Sequence, residues 1–398
     1  MSLPENLNTT NIQLERRYEL DWLRVLAVLL LIYFHTAAVF YQGELGEFYI
    51  KNDSVSSSLG WFIFFVHQWH MPLFFFIAGA ATWYTLKLRS PQQYVSDRFG
   101  RLFIPFLFGT LVVVPPQVYY RLLSHKQDID SYLQFYPQFF NGIRPQGNFD
   151  WAHLWFLIYL FTISIVALPL LLFFKTEKEK GKKWYSMVAD FMRLPGAIFL
   201  PALPLAVIEG ALRPRWFGFQ NLYDDWANVL LYLLYFVYGF LFCADDRFAA
   251  AIDKHHKLVL FMAVATMSIL LGIQASGVLP ARGYSWGYIA YQMFRGCNSW
   301  CWVIALVALG QRYLTFNHSI LQYASQASYP FYLLHQTVLV AIAFYVVQWH
   351  LGIAAKFAII STATFVVTGI LYEVFVKRLN ITRFLFGLKP SSSPIKAE

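Results

Sequence analysis

Apolar residues in this chain fall in long blocks separated by short polar stretches. A run of about 20 apolar residues crosses a bilayer as a helix. Ten such blocks are predicted, over residues 20–41, 61–86, 102–120, 152–174, 195–212, 226–243, 257–276, 291–310, 326–349 and 353–376. The pattern predicts an all-α, polytopic integral membrane protein of about ten transmembrane helices. The fifth block contains Pro195, Pro201 and Pro204, which predicts a kinked or broken span. The expected organisation is an N-terminal tail over 1–19, one membrane domain over 20–376 and a C-terminal tail over 377–398. The first block is too long for a signal-peptide core and no small-residue cleavage site follows it. No inverted repeat of the kind common in transporters is visible.

Composition supports this reading. The 398 residues are 58% hydrophobic and 13% charged, against about 25% charged in soluble domains. That excludes an ordinary soluble enzyme and a disordered chain. The net charge of +9 would suggest nucleic acid in a soluble protein, but no basic module interleaved with aromatics is present. Instead Lys and Arg alternate by side. The even-numbered connections and both tails hold 21 of them, the odd-numbered connections nine, and Arg24 lies inside the first span. This bias puts both termini of a multi-pass membrane protein in the cytoplasm. The basic run from Lys175 to Arg193 reads as a solvated inner loop or as a contact for anionic lipid. Cys243, Cys297 and Cys301 form no disulfide or zinc pattern and read as packing residues.

Ionisable side chains inside a span are costly and mark function or pairing. The first span, LDWLRVLAVLLLIYFHTAAVF, carries three. Arg24 and His35 are eleven residues apart, which leaves about 20° between them after full turns and about 16 Å along the axis. Asp21 lies about 40° from His35 by the same arithmetic. One helix face therefore bears an anion, a cation and an imidazole at different depths. Imidazole takes and gives a proton near neutral pH, so His35 is a candidate catalytic base; its alternative is a core histidine bonded to a neighbouring helix. Arg24 reads either as a site cation or as a snorkelling anchor.

Other spans add candidates. His67 and His70 share a face at i, i+3. That spacing suits packing, a substrate contact by His70, or a metal, although a metal needs further ligands; no metal is predicted. Arg98 and Arg101 in RFGR present forks suited to phosphate, or simply mark the inner side. His153 and Trp155 in HLWFLIYL sit at an outer edge, where an aromatic belt also explains the Trp. Ser328 and His335 share a face of SYPFYLLHQTVL. Glu373 can pair with Lys377 four residues on, and Glu209 with Arg213. No G-x-S-x-G, P-loop, Rossmann or HExxH motif occurs.

Taken in order, LDWLR…H, H…MPLFFFIAGA, RFGRLFIPF, HLWFL, SYPFYLLHQ and LYEVFVKRLNITRFLFGLKP resemble membrane-bound acyltransferase family 3. More narrowly they look like its branch of periplasmic-glucan succinyltransferases. The resemblance runs from Tyr18 to Pro390; the region of about 175–300 matches only in hydropathy. It implies an acyl-CoA donor (acetyl-CoA or succinyl-CoA) bound from the cytoplasm, and transfer of its acyl group to a carbohydrate hydroxyl at the outer side, a periplasmic glucan being one such acceptor. By match, His35 is the catalytic histidine, and Arg24, Arg98 and Arg101 fall on the basic positions near the donor. His335 and Glu373 match further motif positions. His70, Tyr329 and His335 are candidate donors to a tetrahedral oxyanion. A succinyl group would want one more cation, for which Arg213, Arg215 and Arg295 are available. The competing function class is a secondary transporter or flippase for a small anionic or sugar-linked solute. The sequence is silent on oligomeric state.

Overall fold

The computed structural model describes residues 16–41, 43, 49–127, 129, 131–175, 186–194, 196–218 and 220–390. Pro195, the ends of both predicted tails and 176–185 of the basic run lie outside the described residues. The regular secondary structure of the described residues is helical apart from one isolated bridge between Ile143 and Phe149. In chain order the principal helices are α1 (Tyr18–Val39), α2 (Ser57–His67), α3 (His70–Leu88), α4 (Pro91–Ser124) and α5 (Tyr132–Gln138). Then come α6 (Trp155–Lys175), α7 (Ala202–Leu212), α8 (Trp226–Ala244), α9 (Asp246–Lys254) and α10 (His256–Ser276). The last are α11 (Trp286–Tyr313), α12 (Ser319–Val346), α13 (Ile353–Leu371) and α14 (Asn380–Leu385).

Among the described residues nine helical spans are long and apolar enough to cross a membrane, α2 and α3 together counting as one. They match nine of the ten predicted blocks. The remaining block, 195–212, is a shorter apolar stretch, Ala197–Leu212. Its prolines account for this: a 3-10 turn at Ala197–Phe199 precedes α7, which starts only after Pro201.

Prolines also shape the site-bearing helices. Pro72 has no N–H to return to the carbonyl of Gln68, and the second span breaks there, ending α2 at His67 and restarting α3 at His70. Within α4, Pro105 likewise leaves the Arg101 carbonyl without its helical donor. A π-helical turn runs over Phe99–Phe103, and the Tyr329 hydroxyl donates to that carbonyl at 2.7 Å. The loop-side start of α4 is fixed by a capping box between Ser90 and Gln93 with Pro91 at the first position.

Small residues let backbones meet. A Cβ on Gly79 of α3 would lie 1.8 Å from the carbonyl oxygen of Phe236 on α8, and one on Gly239 would lie 1.8 Å from that of Phe76. This is close packing of the kind membrane helices use in place of a hydrophobic driving force. Gly79→Ala is therefore expected to destabilise the fold by about 1–3 kcal/mol, read as a lower melting point in detergent. Gly100→Ala, which meets nothing within 4 Å, should leave it unchanged. Equal melting points for the two variants would contradict this packing.

Contacts set the helix directions. The Trp22 indole donates to the carbonyl of Phe316, just before α12, and His35 meets His335 further along. Helices α1 and α12 are thus parallel, and α11, which ends just before α12 begins, is antiparallel to both. Phe40 at the far end of α1 packs on Phe357 at the start of α13, so α13 returns to the end where α1 began. Tyr18 and Val376 consequently lie at one end of the bundle.

Candidate active site

Four histidines from four helical segments converge. His35 comes from α1, His70 from the broken start of α3, His153 from the 3-10 turn Ala152–Leu154 before α6, and His335 from α12. His35 Nδ1 lies 2.9 Å from His335 Nε2, with the rings stacked at 5.1 Å. The His153 ring stands edge-on to His335 at 5.3 Å. His70, His153 and His335 are buried.

Backbone carbonyls only accept, so they assign the ring protons. His335 Nδ1 lies 2.7 Å from the carbonyl of Tyr332 and therefore donates to it. In a neutral ring its Nε2 then carries the lone pair and accepts from His35 Nδ1–H. The same logic leaves the lone pair of a neutral His35 on Nε2. His70 Nε2 donates to the Ala27 carbonyl at 2.8 Å, and His153 Nε2 to that of Leu333 at 3.1 Å. The Tyr332 hydroxyl donates to the His153 carbonyl. The three expected oxyanion donors are thus committed in this state: His70 to Ala27, Tyr329 to Arg101 and His335 to Tyr332. The sequence names the residue types but does not show where their protons point.

A cavity of about 1540 Å³ runs past this cluster, with His35, His70 and His153 in its wall. At the end that bears Tyr18 and Val376, Arg24, Arg98, Arg101 and Lys389 line it. At the other end the wall is formed by Arg144, Asp150, Trp151 and Arg213. The two groups stand at opposite ends of the helices, so one chamber joins both sides of the bundle to the histidines.

The basic end is held in place by neighbours. Asp21 bonds Arg24 at 2.9 Å and Arg16 at 2.7 Å, so it balances cations rather than reaching His35. Arg98 donates to Thr82 Oγ1 at 2.7 Å and lies over the Tyr94 ring. Arg101 is exposed and has no ion-pair partner among the described residues. Ser328 and Trp155 are buried and line the chamber; Ser328 donates to the Ser325 carbonyl, and Trp155 stacks on Tyr232 at 5.8 Å. Glu373 lies outside the lining, bonded to Lys377 at 3.0 Å and accepting from Tyr323 at 2.6 Å.

At the opposite end Asp150 accepts from Tyr49 at 2.7 Å and from Arg144 at 2.8 Å. Burial, and then the Asp150 carboxylate, push the Tyr49 phenol well up from its ordinary value. Of the three cations considered for an acyl carboxylate, Arg213 is neutralised by Glu209 and Arg215 is an exposed residue over Trp216. Arg295 lies inside α11 and lines the chamber. Its Nε donates to Gln68 Oε1 and its Nη1 to Gln292 Oε1, each at 3.1 Å. Sequence reading missed Gln68, because only the break before α3 turns it toward α11. Gln292 and Arg295 at i, i+3 were a visible signal. Among the described residues no group of three or more His, Cys, Asp or Glu gathers to hold a metal.

Known proteins resemble this chain along nearly its whole length. The chain is 25% identical to the glucans biosynthesis protein C of Salmonella paratyphi B over 98% of both chains. The proteins of the same name from Salmonella dublin and Salmonella enteritidis match to the same extent. No solved structure matches it. The acyltransferase domain family matches residues 17–373, a stretch that contains the four histidines and all three arginines of the basic end, and the chain belongs to this acyltransferase 3 family.

Proposed function

We propose that the protein moves an acyl group from cytoplasmic acyl-CoA to a carbohydrate hydroxyl on the outer side of the inner membrane. The observation that carries this reading is the single chamber joining a basic end, the His35–His335 pair and an opposite mouth. The excess of Lys and Arg in the connections on the side that bears Tyr18 and Val376 makes that side cytoplasmic. There Arg24, Arg98 and Arg101 take the CoA phosphates as charge-assisted hydrogen bonds. The pantetheine arm follows the chamber to His35. The aromatic and polar residues at the other mouth, among them Trp151, Tyr49 and Asp150, suit a sugar. A glucan is the acceptor that the names of the relatives suggest.

In the reaction His35 Nε2 takes the proton of the acceptor hydroxyl as its oxygen attacks the thioester carbonyl carbon. The tetrahedral intermediate collapses with cleavage of the C–S bond. The CoA thiolate leaves and recovers the proton from His35, and an ester remains on the acceptor. His335 positions His35 by accepting its Nδ1 proton. Family membership favours transfer over solute transport. Acetyl-CoA and succinyl-CoA are the donors to test first.

Ligands that bind the folded state raise its melting point. Acyl-CoA is expected to stabilise the purified protein, and free CoA to do so partly. Arg98→Ala should weaken that stabilisation and raise the KM for the donor about tenfold or more, with kcat nearly unchanged. Equal stabilisation of wild type and variant would remove Arg98 from the donor site. No stabilisation by any CoA species would contradict the transferase reading.

A further inference from the structure

The transfer proposed above passes through an oxyanion, and an oxyanion needs donors aimed at it beforehand. The histidine cluster does not provide them in its resting protonation. The ring protons of His70, His153 and His335 are given to carbonyls, as are the hydroxyl protons of Tyr329 and Tyr332.

Arg295 offers what the cluster lacks. Helix α11 runs antiparallel to α1, and a Cβ on Gly310 would lie 3.0 Å from Leu23 and 3.5 Å from Glu19 of α1. Arg295 is fifteen residues back from Gly310, about 22 Å along α11. His35 is twelve residues beyond Leu23 and sixteen beyond Glu19, about 18–24 Å along α1. The two residues therefore stand at the same depth, and both line the chamber. A guanidinium has five N–H donors. Two bonds, to Gln68 and Gln292, fix its plane. Both partners are amide oxygens, so its charge is not cancelled by them, and no carboxylate pairs with it among the described residues. An uncompensated cation inside a span marks function.

We propose that Arg295, steered by Gln68 and Gln292, is the oxyanion-stabilising group of this site. Its role rests on the acyl-transfer reading. The charge it meets develops on the thioester carbonyl oxygen as the C–O bond forms and disappears when the C–S bond breaks. Its contribution is then independent of what lies at the far end of the acyl group.

The test uses the purified full-length protein in detergent, with methyl β-glucoside as acceptor and release of CoA thiol as the readout. Acetyl-CoA and succinyl-CoA are compared for wild type, Arg295→Gln, Arg295→Lys and Gln68→Ala. Arg295→Gln is expected to lower kcat by about 10²–10³-fold with both donors alike, and to leave stabilisation by free CoA as in wild type. Arg295→Lys, which keeps the charge but not the fork, should recover part of the loss, and Gln68→Ala should show a smaller loss in kcat. A loss confined to succinyl-CoA would overturn the proposal and make Arg295 a receptor for the acyl carboxylate. Unchanged kcat would also overturn it, as would a loss that Arg295→Lys leaves unrelieved and that comes with lost CoA stabilisation. If wild type stabilises with acyl-CoA yet releases no thiol, the transfer reading fails first and takes this role with it.

Discussion

Replacing His35 with alanine is expected to lower acyl transfer by about 10⁴-fold, the upper range for removing a general base. The acceptor hydroxyl is a weak nucleophile until its proton has somewhere to go, and the tautomer argument puts the lone pair for it on His35 Nε2. In the proposed scheme the charged end of the donor is held about 16 Å away along α1, the rise from Arg24 to His35. His35→Ala should therefore keep its stabilisation by acyl-CoA while losing turnover. That pairing separates lost chemistry from lost fold. A variant that still transfers at the wild-type rate would remove His35 from the mechanism.

The second large effect is expected at His335, which touches no reacting atom in this scheme. It acts by accepting the His35 Nδ1 proton at 2.9 Å while its own Nδ1 proton is tied to the Tyr332 carbonyl. Without it His35 is free to turn and to carry its proton on the wrong nitrogen. Loss of such a tautomer holder costs up to about 10⁴-fold in the Ser-His-Asp enzymes; a neutral imidazole should hold less firmly than a carboxylate, so about 10³-fold is expected for His335→Leu. His335→Gln, whose Oε1 can accept the same proton, should recover a substantial part. The rate profile of the Gln variant against pH should also move, because the partner of the base has changed. Equal losses in the Leu and Gln variants, with unmoved pH profiles, would reduce His335 to a packing residue.

Much of this architecture was legible in the sequence because it is local. Apolar block length located the spans, and i, i+4 spacing anticipated the Glu209–Arg213 and Glu373–Lys377 pairs. The common face of Arg24 and His35 followed from helical arithmetic. What was not legible depends on tertiary approach. The contact between His35 and His335 closes a separation of 300 residues, and Gln68 meets Arg295 across 227. The prolines were visible, but not that Tyr329 would occupy the carbonyl left open by Pro105. Above all, a list of histidines and tyrosines does not say which of them still has a proton to give. Only the carbonyls around them decide that, and they turn attention from His70 to Arg295.

The central claim is that one chamber brings a donor from the basic side to an acceptor from the opposite side. Transfer across a sealed membrane tests it most directly. The protein would be reconstituted into vesicles and its orientation determined by protease access to the C-terminal tail. Acyl-CoA and a carbohydrate acceptor would then be supplied to chosen compartments. Acylated carbohydrate is expected when acyl-CoA faces the end bearing Arg98 and Arg101 and the acceptor faces the end bearing Trp151 and Asp150. The reversed arrangement should give none. Product formed only when both substrates share one compartment would contradict the account.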